Sequence, residues 1–277
     1  MAYKRILTIQ DISCLGQCSL TVALPILSAG GMETCIIPSA ILSTHTAGFT
    51  NYTFRDLTED IPKIKDHWVA EDLKFDAIYT GYLGSAEQIN DVKDIMHSVA
   101  NDGCLNFVDP AMADNGNLYP AFDLDFVKEM KNLVKEGDFI LPNLTEACFL
   151  TDIEYQENYD QEYIQNILDA LITSSNQTVV LTGISYRAGK TGVVVYQNKK
   201  YDYYEHQLIT KGCHGTGDVY SSAFVAAYLN GKTAIEAAKI AADYTVSCIK
   251  FTQDDKDHWY GVKFEPLLPE LIEDIKK

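Results

Sequence analysis

Gly215-Thr216-Gly217-Asp218 is the stretch of this chain best equipped for chemistry. It closes the longer run Lys211-Gly212-Cys213-His214, and a segment rich in small residues follows it (Ser221, Ser222, Ala223, Ala226, Ala227). Glycines let the backbone turn so that successive N–H groups point at one spot. The first turn of a following helix adds unpaired N–H donors and the positive end of its dipole. Such a loop is an anion cradle suited to phosphate. A carboxylate beside a phosphate is repelled, so Asp218 needs a reason to be there. One reason is general-base chemistry, in which Asp218 takes the proton of an alcohol that attacks a phosphoryl group. The other is capping of the helix, a common use of Asp. The residues alone leave both open.

A second constellation is Asn143 and Glu146, three residues apart where a short apolar run gives way to a helical pattern. Oxygen ligands of this kind suit Mg²⁺, which keeps several of its waters. The same spacing also opens an ordinary capped helix. Asp109 ends another apolar run just before Pro110, either as a strand terminator or as an acidic group at a strand end. Gly189-Lys190-Thr191 imitates the end of a P-loop. The glycine required five positions earlier is Ile184, however, and the triplet joins two strand-like runs, so its context is wrong. His67, His97, His206 and His258 show no metal-ligand spacing.

These residues need a scaffold. Strands are expected over 5–10, 33–38, 76–80, 105–108, 138–141 and 178–181. Helical patterns lie between them at 20–30, 58–72, 85–100, 123–135, 143–150 and 160–174. Residues 11–16 read as a loop and 39–51 as a polar connection; Pro25 should kink its helix or shift the start. Ser85 with Gln88, and Thr233 with Glu236, read as capping boxes. Asn115-Gly116 is turn chemistry, and Asn198-Lys199 joins two consecutive strands as a hairpin. A terminal helix is expected over 265–277. The alternation implies an α/β fold: a mainly parallel central sheet with helices on both faces. With no linker, repeat or low-complexity stretch, residues 1–277 read as a single domain. Ligands of such sheets bind beyond the carboxyl ends of the strands. That is where Asp11, Tyr82, Asp109, Asn143 and the glycine loop fall.

A net charge of −17 argues against nucleic-acid or anionic-membrane partners. The seven cysteines are scattered without CxxC spacing. Met1–Arg5 does not resemble a signal peptide, and no apolar run approaches a membrane span, so a reduced cytoplasm is the expected setting.

Taken in order, Thr8-Ile9-Gln10, Ser43-Thr44-His45-Thr46, Gly81-Tyr82-Leu83-Gly84-Ser85, Asp109-Pro110-Ala111-Met112, Pro142-Asn143-Leu144-Thr145-Glu146 and Gly215-Thr216-Gly217-Asp218 resemble the ribokinase-like kinases, specifically their pyridoxal kinase branch. The likeness runs from about residue 5 to about residue 250. It implies an ATP-dependent kinase acting on the 5′-hydroxymethyl of a B6 vitamer. Asp218 would be the base, with Gly215, Thr216 and Gly217 around the transferring phosphoryl group. Asn143 and Glu146 would hold Mg²⁺ largely through water, with Asp109 near the phosphates and cations. Thr182 and Gly183 would line ATP, and Asp11, His45, Thr46 and Tyr82 would surround the pyridine ring. The resemblance also implies a homodimer and leaves room for a monovalent cation.

Many members of that branch carry Ser where this chain has Asp11, a carboxylate suited to the cationic aminomethyl of pyridoxamine. The alternatives are a hydroxymethylpyrimidine kinase of the same superfamily and a non-catalytic B6-binding protein. A sugar or nucleoside kinase would need a strand-built lid after the first strand, for which 11–31 has no room. Cys213 could be a reactive thiol or merely a lid residue.

Overall fold

A computed structural model describes residues 3–209 and 213–277. The first half runs β1 (Arg5–Ser13), α1 (Leu20–Ala29), β2 (Glu33–Leu42), β3 (Phe54–Asp56), α2 (Ile61–Ala70), β4 (Phe75–Thr80), α3 (Ala86–Ser98) and β5 (Ala100–Val108). A small hairpin of β6 (Ala113–Asp114) and β7 (Asn117–Leu118) precedes α4 (Leu124–Val134), β8 (Phe139–Ile140), α5 (Leu144–Thr151) and α6 (Gln161–Leu171). Then come β9 (Thr178–Ile184), β10 (Lys190–Gln197), β11 (Lys200–Gln207), α7 (Thr216–Leu229), α8 (Ala234–Thr252), a short 3₁₀ turn and α9 (Leu268–Lys276).

Among the described residues, nine strands form one sheet in the order β11-β10-β9-β8-β5-β4-β1-β2-β3. From β9 to β2 every pairing is parallel, while β10, β11 and β3 run antiparallel at the edges. Strand residues alternate between two apolar layers, as a sheet covered on both faces requires. Leu7, Ile9, Ile78 and Val108 pack beneath the α2–α6 side. Ile6, Ala77, Tyr79 and Phe107 pack beneath α1, α7, α8 and α9. The expected α/β architecture is the observed one.

Four local expectations need correction. Residues 11–13 are strand rather than loop: β1 runs on to Ser13 through a bulge between Gln10 and Ile12. β2 likewise continues to Leu42, beyond the point where the polar connection was expected. Ser85 caps α3 by accepting from Gln88 N at 3.2 Å, but the Gln88 side chain does not return to it. That amide binds Gly84 N, Ser39 O and Thr58 Oγ1 instead, stapling three segments at the carboxyl edge. Pro25 lies inside a continuous α1 and does not shift its start. The Asn198-Lys199 hairpin forms as read, both residues having positive φ.

Candidate active site

The carboxyl edge of the parallel strands gathers the acidic residues. Asp218 is the third residue of α7, and Gly215 is the residue before that helix, with φ 78° and ψ 4°. A β-carbon on Gly215 would run into the Gln17 carbonyl oxygen, so this corner accepts only glycine. Gly217 has open space where its side chain would be. The first-turn N–H groups of Thr216, Gly217 and Asp218 have no acceptor within their own helix. A phosphate oxygen therefore finds donors and room there. Lys211 and Gly212, read with this loop from sequence, lie outside the described residues.

Gly215 has no side chain with which Asp218 could form a reciprocal capping box, and the hydrogen bond acting on the Asp218 carboxyl comes from the Ser19 backbone. Burial pushes that carboxyl up to about 7, aided by the charges of Asp109 and Asp11 and opposed by the Ser19 N–H. A carboxyl titrating there is matched to accept a proton near neutrality.

Asp11 sits at the β1 bulge and is 6% exposed. The Ser13 hydroxyl donates to it at 3.2 Å. Burial raises its pKa, while hydrogen bonds from Ser19 and Ser13 and the nearby His45 work the other way. Its charge also helps lift the Tyr82 phenol, which burial pushes up to about 12. Asp11 is therefore near enough to act electrostatically on both Tyr82 and Asp218. Tyr82 is half-buried, with its ring centroid 5.3 Å from that of Phe122.

His45 is buried, and both of its ring nitrogens are used within the protein. Nε2 faces Tyr260 O at 2.5 Å, and Nδ1 accepts from Ala47 N at 3.2 Å. This pattern places the proton on Nε2. Its ring tilts against His214 of the glycine loop at 5.2 Å and meets Phe49 edge-on at 5.0 Å. Phe49 in turn packs on Trp259 at 4.7 Å. His45 thus presents ring surface, and Thr46 beside it is exposed.

Asp109 follows β5 and is held by the Ser221 hydroxyl, which donates to Oδ2 at 2.7 Å. Burial pushes its pKa up to about 6, against the effect of that hydrogen bond. Asn143 and Glu146 form a complete capping box at the start of α5: Asn143 Oδ1 accepts from Glu146 N, and Glu146 Oε2 accepts from Asn143 N. Glu146 Oε1 also accepts from Met112 N at 3.1 Å, and Asn143 Nδ2 donates to Ala113 O at 2.8 Å. Burial and the charge of Asp109 raise the Glu146 pKa. The Asn143-Glu146 corner is therefore structurally occupied, and a metal ion would meet it through water. Among the described residues, no three His, Cys, Asp or Glu side chains form a ready metal cluster. The charge of Asp109 nonetheless helps raise the pKa of both Asp218 and Glu146, so these hard oxygen donors lie within electrostatic reach of one carboxylate. A hard divalent cation fits that surplus of negative charge.

Thr182 bonds to Pro142 O through its N–H, and Gly183, with φ 76°, bulges outward at the edge of β9 with open space beside it. Gly189 turns β9 into antiparallel β10, which disposes of the P-loop imitation. Burial and the charges of Asp218 and Asp11 raise the pKa of Cys18, so this thiol beside the base stays protonated. Cys213 packs against the apolar layer under α7 and α8. Two residues escaped the sequence reading: Ser221, hidden in a run read only as close packing, and Ser19, whose φ of 52° nothing in its neighbours announces.

A mainly parallel sheet with a glycine-loop helix and a buried carboxylate at its carboxyl edge defines a ribokinase-like fold. Residues 26–262 match the phosphomethylpyrimidine kinase family, and the chain belongs to it. The chain is similar to a Bacteroides thetaiotaomicron phosphomethylpyrimidine kinase crystallised with pyridoxal: 34% identity, 98% of this chain and 96% of that one, TM-score 0.90. It is also similar to the pyridoxal kinase of Lactobacillus plantarum: 28% identity, 98% of each chain, TM-score 0.91. With the pyridoxal kinase of Actinobacillus pleuropneumoniae it shares 28% identity over 192 residues. That match spans 63% of either chain, less than two-thirds of the relative's length.

Proposed function

We propose that this chain is an ATP:pyridoxal 5′-phosphotransferase, phosphorylating the 5′-hydroxymethyl of a B6 vitamer. The observation that carries the reading is Asp218: a base with a pKa of about 7, outside any reciprocal capping box, beside an open cradle of N–H groups. The vitamer lies against Tyr82 with Asp11 at one edge and the ring face of His45 nearby; Thr46 borders the opening. Asp218 orients the primary alcohol and takes its proton as oxygen attacks the terminal phosphorus. The amides of Gly215, Thr216 and Gly217 stabilise charge on the transferring group. Thr182 and Gly183 flank the nucleotide. Asp109, Asn143 and Glu146 would hold Mg²⁺, the last two mostly through water, and the ion would supply neutralisation of phosphate charge when bound. A monovalent cation is an optional addition to the same acidic hollow.

Residues 1–277 act as one kinase domain in this reading, in a reduced cytoplasm consistent with free cysteines. No helix among the described residues is long and apolar enough to cross a membrane. The outer edge of β3, with Ile41, Tyr52 and Phe54 exposed around it, is where a second copy would pair to make a homodimer.

A phosphate-ester assay with ATP, Mg²⁺ and each vitamer, run beside hydroxymethylpyrimidine, tests this directly. Turnover of at least one vitamer with higher kcat/KM than the pyrimidine is expected. The reverse order would move the enzyme to the pyrimidine branch, and no turnover of either would leave a binding protein.

A further inference from the structure

α7 carries more than the base. Ser221 stands three residues after Asp218, on the same helix face one turn deeper, and is 3% exposed. A serine inside a helix normally has an acceptor at hand, the carbonyl four residues back. Thr245 inside α8 takes it, bonding to Ala241 O at 2.7 Å, as do the last residues of α5 and α8, Thr151 to Ala147 O and Thr252 to Cys248 O, both at 2.8 Å. Ser221 does not. Its hydroxyl crosses to a residue 112 positions away and donates to Asp109 Oδ2 at 2.7 Å. Asp109 is followed by Pro110, which restricts its backbone, and its N–H is fixed on Thr80 O at 3.0 Å. With backbone and one carboxylate oxygen anchored, the side chain has one oxygen left to offer a ligand.

We infer that Ser221 is a positioning residue for phosphoryl transfer: it aims the second oxygen of Asp109 at the cation-bound phosphates of a nucleoside triphosphate and ties that carboxylate to the helix bearing the base. The inference rests on the kinase reading. Helix α7 then sets the separation of the two acidic groups that flank the reacting phosphate, one on the alcohol side and one on the nucleotide side. A hydroxyl is suited to the task because it donates to a carboxylate without neutralising it.

The test compares Ser221→Ala and Ser221→Thr with the parent. ATP affinity is measured by calorimetry with and without Mg²⁺, alongside steady-state kinetics and melting temperature. Loss of one hydrogen bond to a charged group should reduce the Mg²⁺-dependent gain in ATP affinity by about tenfold and kcat/KM for ATP by a similar factor. KM for the vitamer should stay within about twofold, since the carboxylate that Ser221 holds is the one on the nucleotide side. Thr, which keeps the hydroxyl, should recover most of both losses. An alanine variant with an unchanged Mg²⁺-dependent gain overturns the inference. So does a loss that Thr fails to restore while the melting temperature stays at the parent's value. If the parent phosphorylates no vitamer, the function assignment fails while the ATP-binding comparison still decides the role of Ser221.

Discussion

Two corners of this molecule have the same design and opposite outcomes. Each passes from an irregular segment into a helix with an acidic residue at its third position: Glu146 in α5 and Asp218 in α7. At the first corner the preceding residue is Asn143, and the two side chains close on each other's backbone N–H groups. Glu146 is 3% exposed and both of its oxygens are spent on backbone donors. At the second corner the preceding residue is Gly215, which has no side chain to complete a box and a φ that asparagine adopts less readily. Aspartate is also one methylene shorter than glutamate. Asp218 is left partly exposed with an elevated pKa. Replacing the cap by glycine gives up helix stability and gains a carboxylate able to act on something other than its own helix.

The comparison breaks most clearly at Asp218. Asp218→Asn keeps the shape and removes the base, so kcat should fall by about a thousandfold, within the range for loss of a general base. In the parent, kcat/KM for the vitamer should rise about tenfold per pH unit up to about 7 and then level, because only the ionised carboxylate accepts a proton. The stability effect has the opposite sense. The folded pKa lies above the ordinary value of 3.8, so the native state holds an extra proton between them, and stability falls as pH rises from about 4 through about 7. At pH 8 the Asn variant should therefore melt at or above the parent. A variant that melts lower and still turns over would make Asp218 a structural residue like Glu146.

Gly215→Ala attacks the same corner through its backbone. The new methyl would occupy the place of the Gln17 carbonyl oxygen, at a φ that alanine resists. Displacing the 16–19 loop also moves Ser19, whose N–H faces Asp218. Turnover should drop by roughly a hundredfold, with loss of about 1–3 kcal/mol of stability for a strained left-handed residue. Kinetics and a urea titration on the same preparation check both. Full activity would mean that the loop, not the glycine, sets this geometry.

Much of this site was legible before any coordinates. Gly-Thr-Gly-Asp ahead of a small-residue helix suggests an anion cradle through residue type, and the alternation of strands and helices places it at the carboxyl edge. What could not be read depends on contacts distant in sequence. The extension of β1 to Ser13 is set by pairing with β2, because Asp11 and Ser13 are poor advertisements for a strand. Gln88 has the spacing of a capping box, yet Gly84, Ser39 and Thr58 outcompete Ser85 for its amide. Ser221 looks like any other small helix-packing residue until Asp109 is brought beside it. The Asn143-Glu146 pair was legible in both of its readings. Only the hydrogen bonds to Met112 and Ala113 show how fully the cap consumes it.

Asp11 sharpens the contrast between committed and available carboxylates, being buried yet held only by hydroxyl donors and backbone. A cationic aminomethyl group on the substrate would supply the missing charge. Asp11→Ser should lower the ratio of kcat/KM for pyridoxamine over pyridoxal by about tenfold, the scale of one charge-assisted hydrogen bond. An unchanged ratio, with both substrates still turned over, would show that Asp11 serves only to turn the β1 bulge.

The mildest change tests the structural half of the comparison. Asn143→Ala removes the acceptor of Glu146 N and the donor to Ala113 O but leaves the Glu146 carboxylate on Asn143 N and Met112 N. Loss of a helix cap costs about 1 kcal/mol, and an orphaned carbonyl adds about as much again if water cannot reach it. The melting temperature should fall by a few degrees. Any role of Asn143 toward Mg²⁺ runs through water, so kcat/KM should stay within about tenfold of the parent, far above the Asp218→Asn level. If instead the melting temperature holds and activity collapses, the two corners are alike in function after all. The capping box would then be a resting arrangement that opens when nucleotide and cation bind.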